Sequence, residues 1–396
     1  MKVLMAMPFS PVPPDFGGAL RVFHLVRQVA RRHEVTVLTY GSPEDAGRIR
    51  AELQVKDVQV VKPLWKSTSR RLGQLYSTFS THSFFQLSVV GAPFQAALDR
   101  VLSENDFDVV QTEFSHLGPF ELKTKALKVL DTHNVEYDNF RRMWETSKWG
   151  VKKLHYLLEY RKMKGDELAW LRAQDAVLTT SERDKELFGK DVSVPLHVVP
   201  NGVDSAYFAP PAQQAVEPYS MVFTGMMAYT PNHDGIGWFL DEVMPRIVEK
   251  QPKARLYVVG KNPPPHITSR ASERVVVTGT VPDVRPFVQR ASVYVVPLRM
   301  GGGTRLKIAE SLAARKPMVT TRVGCEGIDV KDQEHCLMAD EPQAFADAVL
   351  GLWKDPARGE ALASAGQALV TARYVWSVIG DLVERIYAEA KARRAA

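Results

Sequence analysis

Short runs of consecutive apolar residues recur along this chain, separated by stretches whose apolar positions repeat roughly every three to four residues. In the first half the runs cover residues 3–7, 35–39, 58–61, 109–111, 129–131, 176–179 and 197–199. An unbroken apolar run has no polar face, which suits a strand covered on both sides and therefore a parallel sheet. Helical patterning fills the gaps, beginning where Asp15-Phe16-Gly17-Gly18 opens a helix that runs to about residue 32. After Asn201-Gly202 the alternation starts again, with strands at 221–224, 255–259, 275–278, 293–297 and 318–320 and helices at 236–249, 284–290 and 345–353. Strands alternating with helices predict an α/β protein, and the restart predicts two doubly wound domains. A single (β/α)8 barrel is the architectural alternative. The polar, proline-bearing stretch 209–218 reads as a linker, and the long amphipathic segment 376–394 is expected to return to the first domain. The expected boundaries are 1–202, 203–375 and, for the returning helix, 376–396.

Composition narrows the function classes. The 51 basic side chains exceed the 45 acidic ones by six, too dilute an excess to argue for nucleic acid. It suits a small polyanionic ligand or an anionic membrane surface. Cys325 and Cys336 allow at most one disulfide and have no metal-ligand spacing, which favours a reduced, cytoplasmic setting. The start of the chain reads as a first strand rather than a signal peptide, and no apolar run reaches the roughly 18 residues of a membrane span.

The chemistry concentrates in Gly301-Gly302-Gly303-Thr304-Arg305-Leu306-Lys307-Ile308-Ala309-Glu310, between an apolar strand and a helical pattern. Glycines there leave backbone N–H groups open to an anion, and the helix N-terminus adds partial positive charge. Arg305 and Lys307 bring full charges, and Glu310 follows within the first turns of the helix. A diphosphate and a ribose are the natural occupants. The plainer alternative is a glycine-rich connection with ordinary surface charges.

Further motifs run in order through the chain: Gly17-Gly18, Thr132-His133-Asn134, Val199-Pro200-Asn201-Gly202-Val203-Asp204 with Phe208, Phe223-Thr224-Gly225, Gly279-Thr280-Val281-Pro282-Asp283-Val284, the glycine loop ending in Glu310, and Gly324-Cys325-Glu326-Gly327. In this order they resemble the nucleotide-sugar glycosyltransferases of the GT-B fold, specifically the retaining family four. The resemblance covers nearly the whole chain. It implies two Rossmann-like domains facing a central cleft, a nucleotide-sugar donor, a glycan or lipid-linked acceptor, no resident cofactor and no metal. It also implies that Glu310 holds the ribose and that the backbone around Val281 reads the base, uracil or guanine being the first candidates. By the same resemblance His133 lies near the scissile bond and Glu326 near the transferred sugar. Gly17 and Gly18 follow the first strand, where open α/β sheets bind ligands, and so lie near the diphosphate or acceptor; Arg21, one turn on, is either a cation beside them or a solvated helix residue. The chain departs from the family pattern at two points. Gly302 stands where a first glutamate usually precedes Glu310 by eight positions, and no basic residue follows Gly225 until Arg246. Both departures coincide with Arg305 and Lys307 on the loop, so charge neutralisation is expected to have moved there.

Glycosyl transfer needs fixed dipoles and cations aimed at the charge developing on the departing diphosphate. Arg305, Lys307 and the N–H groups around Gly302, Gly303 and Thr304 are the candidates. No residue stands out as a carboxylate nucleophile, which favours a same-face displacement over the covalent route of retaining glycosidases. Asp106-Phe107-Asp108 reads as loop punctuation before a buried strand rather than a metal site. Residues 141–164 carry eight basic and two acidic side chains among Trp144, Trp149, Tyr156, Leu157, Leu158 and Tyr160. Lys62, Lys66, Arg70 and Arg71 lie beside Trp65 and Leu72. Basic residues mixed with aromatic ones suit an anionic bilayer or a lipid-linked acceptor at the inner face of a membrane; an amphipathic helix with a solvated face is the alternative. A sugar-nucleotide epimerase, a phosphorylase and a nucleotide-binding protein without catalysis remain as other functions for the fold.

Overall fold

A computed structural model describes residues 1–62, 80–84, 91–210, 215–301 and 305–395. The chain divides into two compact units, residues 1–200 with 379–396, and residues 201–378. Each holds its own parallel sheet, which excludes the single-barrel alternative.

The first unit contains strands β1 (Lys2–Met7), β2 (Glu34–Tyr40), β3 (Asp57–Val61), β4 (Val109–Glu113), β5 (Leu127–Asp131), β6 (Ala176–Thr179) and β7 (Leu196–Val198). Their order is β3-β2-β1-β4-β5-β6-β7, parallel throughout. Val3 to Met7 are fully buried, as the unbroken apolar run required. Helix Gly17–Ala30 packs beside β2 and buries Ala19, Val22, Leu25, Val26 and Val29, spaced to fall on one face. A capping box between Ser42 and Asp45 starts helix Pro43–Leu53. Lys66, Arg70, Arg71, Trp65 and Leu72 lie outside the described residues.

The second unit contains β8 (Glu217–Thr224), β9 (Arg255–Val259), β10 (Val275–Gly279), β11 (Ala291–Val296), β12 (Met318–Thr320) and β13 (Leu337–Met338). Its order, β10-β9-β8-β11-β12-β13, repeats that of the first sheet. The chain therefore runs outward from the first strand, returns across it and continues on the other side in both units. That reversal falls between β1 and β4 and between β8 and β11, the positions where open α/β sheets bind ligands. The expected helix at 236–249 instead starts earlier, at Thr230–Trp238 with Pro231 in its first turn. It passes through a π-helical turn at Phe239–Val243 and ends as Met244–Lys250. Pro218 belongs to β8 rather than to a linker. The last helix, Trp376–Ala395, begins in the second unit and is counted with the first from Ile379 onward.

Several motif glycines prove to be packing sites. A Cβ at Gly202 would press against the Trp376 indole at 2.5 Å, and one at Gly235 would approach the Pro297 carbonyl oxygen at 2.6 Å. The tightest place is the C-terminal edge of the second sheet. The Gly225 N–H donates to Val259 O at 3.0 Å and the Gly260 N–H to Gly279 O at 3.2 Å. Gly260 has φ +156°, and a Cβ on it would overlap the Gly225 carbonyl oxygen. Backbone on backbone cannot rotate aside. Gly260→Ala is therefore expected to destabilise the protein by about 3 kcal/mol or more, as overpacking plus a disfavoured φ. Gly351→Ala, on an exposed helix position with open space around it, should instead stabilise by about 0.5–1 kcal/mol. Urea melts of the two variants check the opposite signs.

Candidate active site

In the second unit the loop leaving β11 leads into helix Leu306–Ala313, with Arg305 as its N-cap. Lys307, in the first turn, reaches back across the reversal point to the first turn of helix Thr230–Trp238, which follows β8. Its Nζ donates to Asn232 Oδ1 at 2.7 Å and lies 4.0 Å from the centre of the Phe223 ring. Asn232 is fixed in turn, because its Nδ2 donates to Met226 O at 2.8 Å. Gly225 leaves the room for both: a Cβ there would stand 2.8 Å from Asn232 Nδ2 and 3.0 Å from Lys307 Nζ. Among the described residues Lys307 has no salt-bridge partner. Burial pulls its pKa down to about 7, with Glu310 opposing the shift and Arg305 adding to it. Burial likewise pushes the Glu310 carboxyl up to about 7, against the pull of Lys307. The two groups thus sit on one helix within electrostatic reach of each other, one a base and the other an acid.

Arg305 is 6% exposed, with its guanidinium 3.9 Å from the Glu326 carboxylate. Gly301 makes way for it, since a Cβ at Gly301 would come within 2.9 Å of Arg305 Nη2. The turn Val323–Cys325 that carries Glu326 is tied to the same loop, because Thr321 Oγ1 donates to Leu298 O and accepts from the Gly324 N–H at 2.9 Å. Lys307, Glu310, Arg305 and Glu326 therefore lie on neighbouring segments at the C-terminal end of β11 and β12. Gly302, Gly303 and Thr304 fall outside the described residues. Val281 packs its side chain against the core of this unit, and Gly279 before it takes φ +67°. Cys325 and Cys336 are both free and buried.

The first unit handles its reversal point differently. Arg21, expected as a cation for ligand, is 1% exposed and forms a two-pronged ion pair with Asp131 at the end of β5. Nε donates to Oδ2 at 2.8 Å and Nη2 to Oδ1 at 3.1 Å, while Nη1 donates to Pro200 O at 3.1 Å. Its helix is one whose buried face turns that position inward, which a solvated reading overlooks. His133 follows β5 in a left-handed conformation, φ +60°, and its Nε2 lies 2.9 Å from Glu113 Oε2 and 3.7 Å from Asp131 Oδ2. Phe114 stacks on the imidazole at 3.6 Å, and Gly18 gives it space, since a Cβ there would sit 2.5 Å from Phe114 Cζ.

Glu113 is fully buried, and burial together with Asp131 holds its carboxyl above the usual range. It accepts from Gln111 Nε2 at 2.6 Å, and Gln111 accepts from the Tyr387 hydroxyl of the last helix. Glu113, Asp131 and His133 are close enough to share a metal ion. Arg21 already occupies both oxygens of Asp131, however, and a cation there would meet a guanidinium. The group fits a closed hydrogen-bond network that orients His133. Asn232, Glu113, Gln111 and Tyr387 carried no signal in the sequence; each acts through a partner distant along the chain.

Two family patterns match the chain. Residues 17–207 match "Glycosyltransferase Family 4" and residues 218–355 match "Glycosyl transferases group 1". Among curated proteins, an uncharacterised 44.6 kDa protein of the cps region of Klebsiella pneumoniae is 20% identical over 89% of this chain and 91% of its own length. The lipopolysaccharide core biosynthesis mannosyltransferase LpcC of Rhizobium leguminosarum bv. viciae is 26% identical over 48% of this chain and 57% of its own length. Among solved structures, sucrose-phosphate synthase of Thermosynechococcus elongatus superposes with a TM-score of 0.71 at 17% identity, over 99% of this chain and 100% of its own. Anabaena Alr3699/HepE in complex with UDP does so with 0.71 at 14%, over 98% and 100%. At such identities the structural likenesses establish the fold alone. With a glycosyltransferase pattern on each unit and two sheets of the Rossmann-like order, the chain is a glycosyltransferase of the GT-B fold.

Proposed function

We propose that the protein is a retaining, metal-independent glycosyltransferase that moves a sugar from a nucleotide-sugar donor to a glycan or lipid-linked acceptor. The setting we assign is bacterial surface polysaccharide or glycolipid assembly, in the cytoplasm at the inner face of the membrane. The observation that carries this reading is Lys307, a cation at the reversal point of the second sheet with Asn232 and an aromatic ring for company and no carboxylate in salt-bridge contact among the described residues. Such a group gains most from an incoming anion, and the donor diphosphate is one. Glu310, on the same helix, accepts hydrogen bonds from the two ribose hydroxyls, and Arg305 adds charge beside the glycine loop.

As the bond to the sugar breaks, Lys307, Arg305 and the loop N–H groups stabilise the charge on the leaving diphosphate; one such donor is worth roughly 3 kcal/mol of barrier. The leaving phosphate takes the acceptor proton on the same face of the sugar, which retains its configuration. His133, oriented by Glu113, and Glu326 contact the transferred sugar, and Gly17 and Gly18 flank the diphosphate or acceptor. Two of the neighbouring proteins support the setting: the LpcC relative is named for lipopolysaccharide core synthesis and the Klebsiella relative for the cps region. HepE structures hold UDP and UDP-glucose, which supports UDP as the first nucleotide to test, with GDP second. Among the described residues no helix is long and apolar enough to cross a membrane, so the contact proposed is peripheral.

Calorimetric titration with UDP, GDP, ADP and TDP without added metal should reveal tight binding of one. Glu310→Ala and Arg305→Ala should each weaken it about 10–100-fold, the range for hydrogen bonds to charged groups. Absence of binding by all four contradicts the donor site. Nucleotide binding without transfer or slow hydrolysis of any donor sugar would favour the inactive binding protein.

The pH dependence follows from Glu310. With its pKa near 7, the carboxyl is protonated at acid pH and there resembles an amide. The ratio of wild-type to Glu310→Gln affinity should therefore be close to one at about pH 5.5 and rise to a plateau near pH 8. Taking the ratio cancels the titration of the nucleotide itself. A flat ratio would show that Glu310 does not titrate in this range.

A further inference from the structure

Helices Glu136–Thr146 and Val151–Arg172 form a hairpin in the first unit, with the Trp144 and Tyr160 rings stacked between them. The basic character of this region resolves into two parts. Near its base, Arg141, Arg142 and Arg183 all pair with Asp138, and Arg141 also pairs with Glu145. Lys164 pairs with Asp191, and Glu159 is buried, accepting from the Phe84 N–H at 2.7 Å. These charges are spent on the fold.

The tip is different. Trp149 is 91% exposed, Val151 88% and Leu154 57%. A glycine with φ +154° makes the turn, and the Lys153 ammonium packs 5.1 Å from the Trp149 ring while donating to Ser147 O. Lys148 and Lys152 flank the indole in sequence and are exposed. No acidic residue lies between 146 and 158. Large apolar side chains held out in water, alternating with lysines, carry a net cost unless something covers them.

We propose that residues 148–154 are a wedge that seats in the headgroup region of an anionic bilayer. Trp149, Val151 and Leu154 enter the acyl boundary while Lys148 and Lys152 meet lipid phosphates. The composition separates this occupant from a protein partner, because protein interfaces are depleted in lysine at their centres, whereas membrane interfaces pair Trp with Lys. The inference deepens the peripheral membrane contact of the proposed function and rests on it for its purpose, though not for its test.

Co-sedimentation of the full chain with phosphatidylcholine vesicles, with and without phosphatidylglycerol, tests it directly. Binding is expected only to the anionic vesicles. Trp149→Ser should weaken it roughly tenfold, the loss of one buried large side chain. Lys148→Gln with Lys152→Gln should weaken it on the order of 20-fold, at about fivefold per lysine near a charged surface. Because the tip is exposed, both variants should keep the wild-type melting curve and nucleotide affinity. Failure of wild type to bind anionic vesicles, or variants that bind like wild type, overturns the wedge. Variants that dissolve a dimer in light scattering while still binding vesicles would also overturn it and assign the tip to a second copy of the chain. A wedge that binds lipid in a protein that binds no nucleotide leaves this inference standing and removes sugar transfer.

Discussion

At the edge of the second sheet a half-buried ammonium group sets what its neighbours can be. Lys307 is held over Phe223 and against Asn232, and burial lowers its pKa to about 7. Holding it there requires that Gly225 have no side chain, that Asn232 be locked by the Met226 carbonyl, and that helix Leu306–Ala313 begin where it does. Desolvating such a charge costs free energy, and an anion placed beside it would offset that cost.

The two units share a strand order but not an electrostatic plan. At the first reversal point Arg21 is consumed by Asp131, and Glu113, Gln111 and Tyr387 continue the network to His133. That side closes on itself through hydrogen bonds that hold one imidazole. The second side leaves its cation without a salt bridge among the described residues. One topology thus carries a closed ion-pair network in one unit and a cation without a salt bridge among the described residues in the other, side chains differing on a common scaffold.

Much of the scaffold was legible because buried parallel strands are largely apolar, and among the described residues 12 of the 13 strands stand where such runs occur. β13, two residues long, has no pattern to read. The helix at 236–249 misled because apolar spacing continues through the π-helical turn at Phe239–Val243, while its true start depends on Pro231 in the first turn. That Arg305, Lys307 and Glu310 fall together at a helix start was readable from the glycine loop before them. The Asn232 contact was not, since it meets Lys307 across 75 residues, and neither was the burial of Arg21, whose partner Asp131 lies 110 residues away. Gly18, Gly202 and Gly260 announce themselves as glycines, but only the packed structure distinguishes close packing from ligand approach.

The account turns on the state of one ammonium group. Carbon-13 NMR of the lysine ε-carbon, assigned with Lys307→Arg, would follow Lys307 through a pH titration with and without a bound nucleoside diphosphate. A pKa near 7 is expected in the free protein, rising by at least one unit when the diphosphate binds. An ordinary value near 10.5 in the free protein, unmoved by saturating nucleotide, would contradict it.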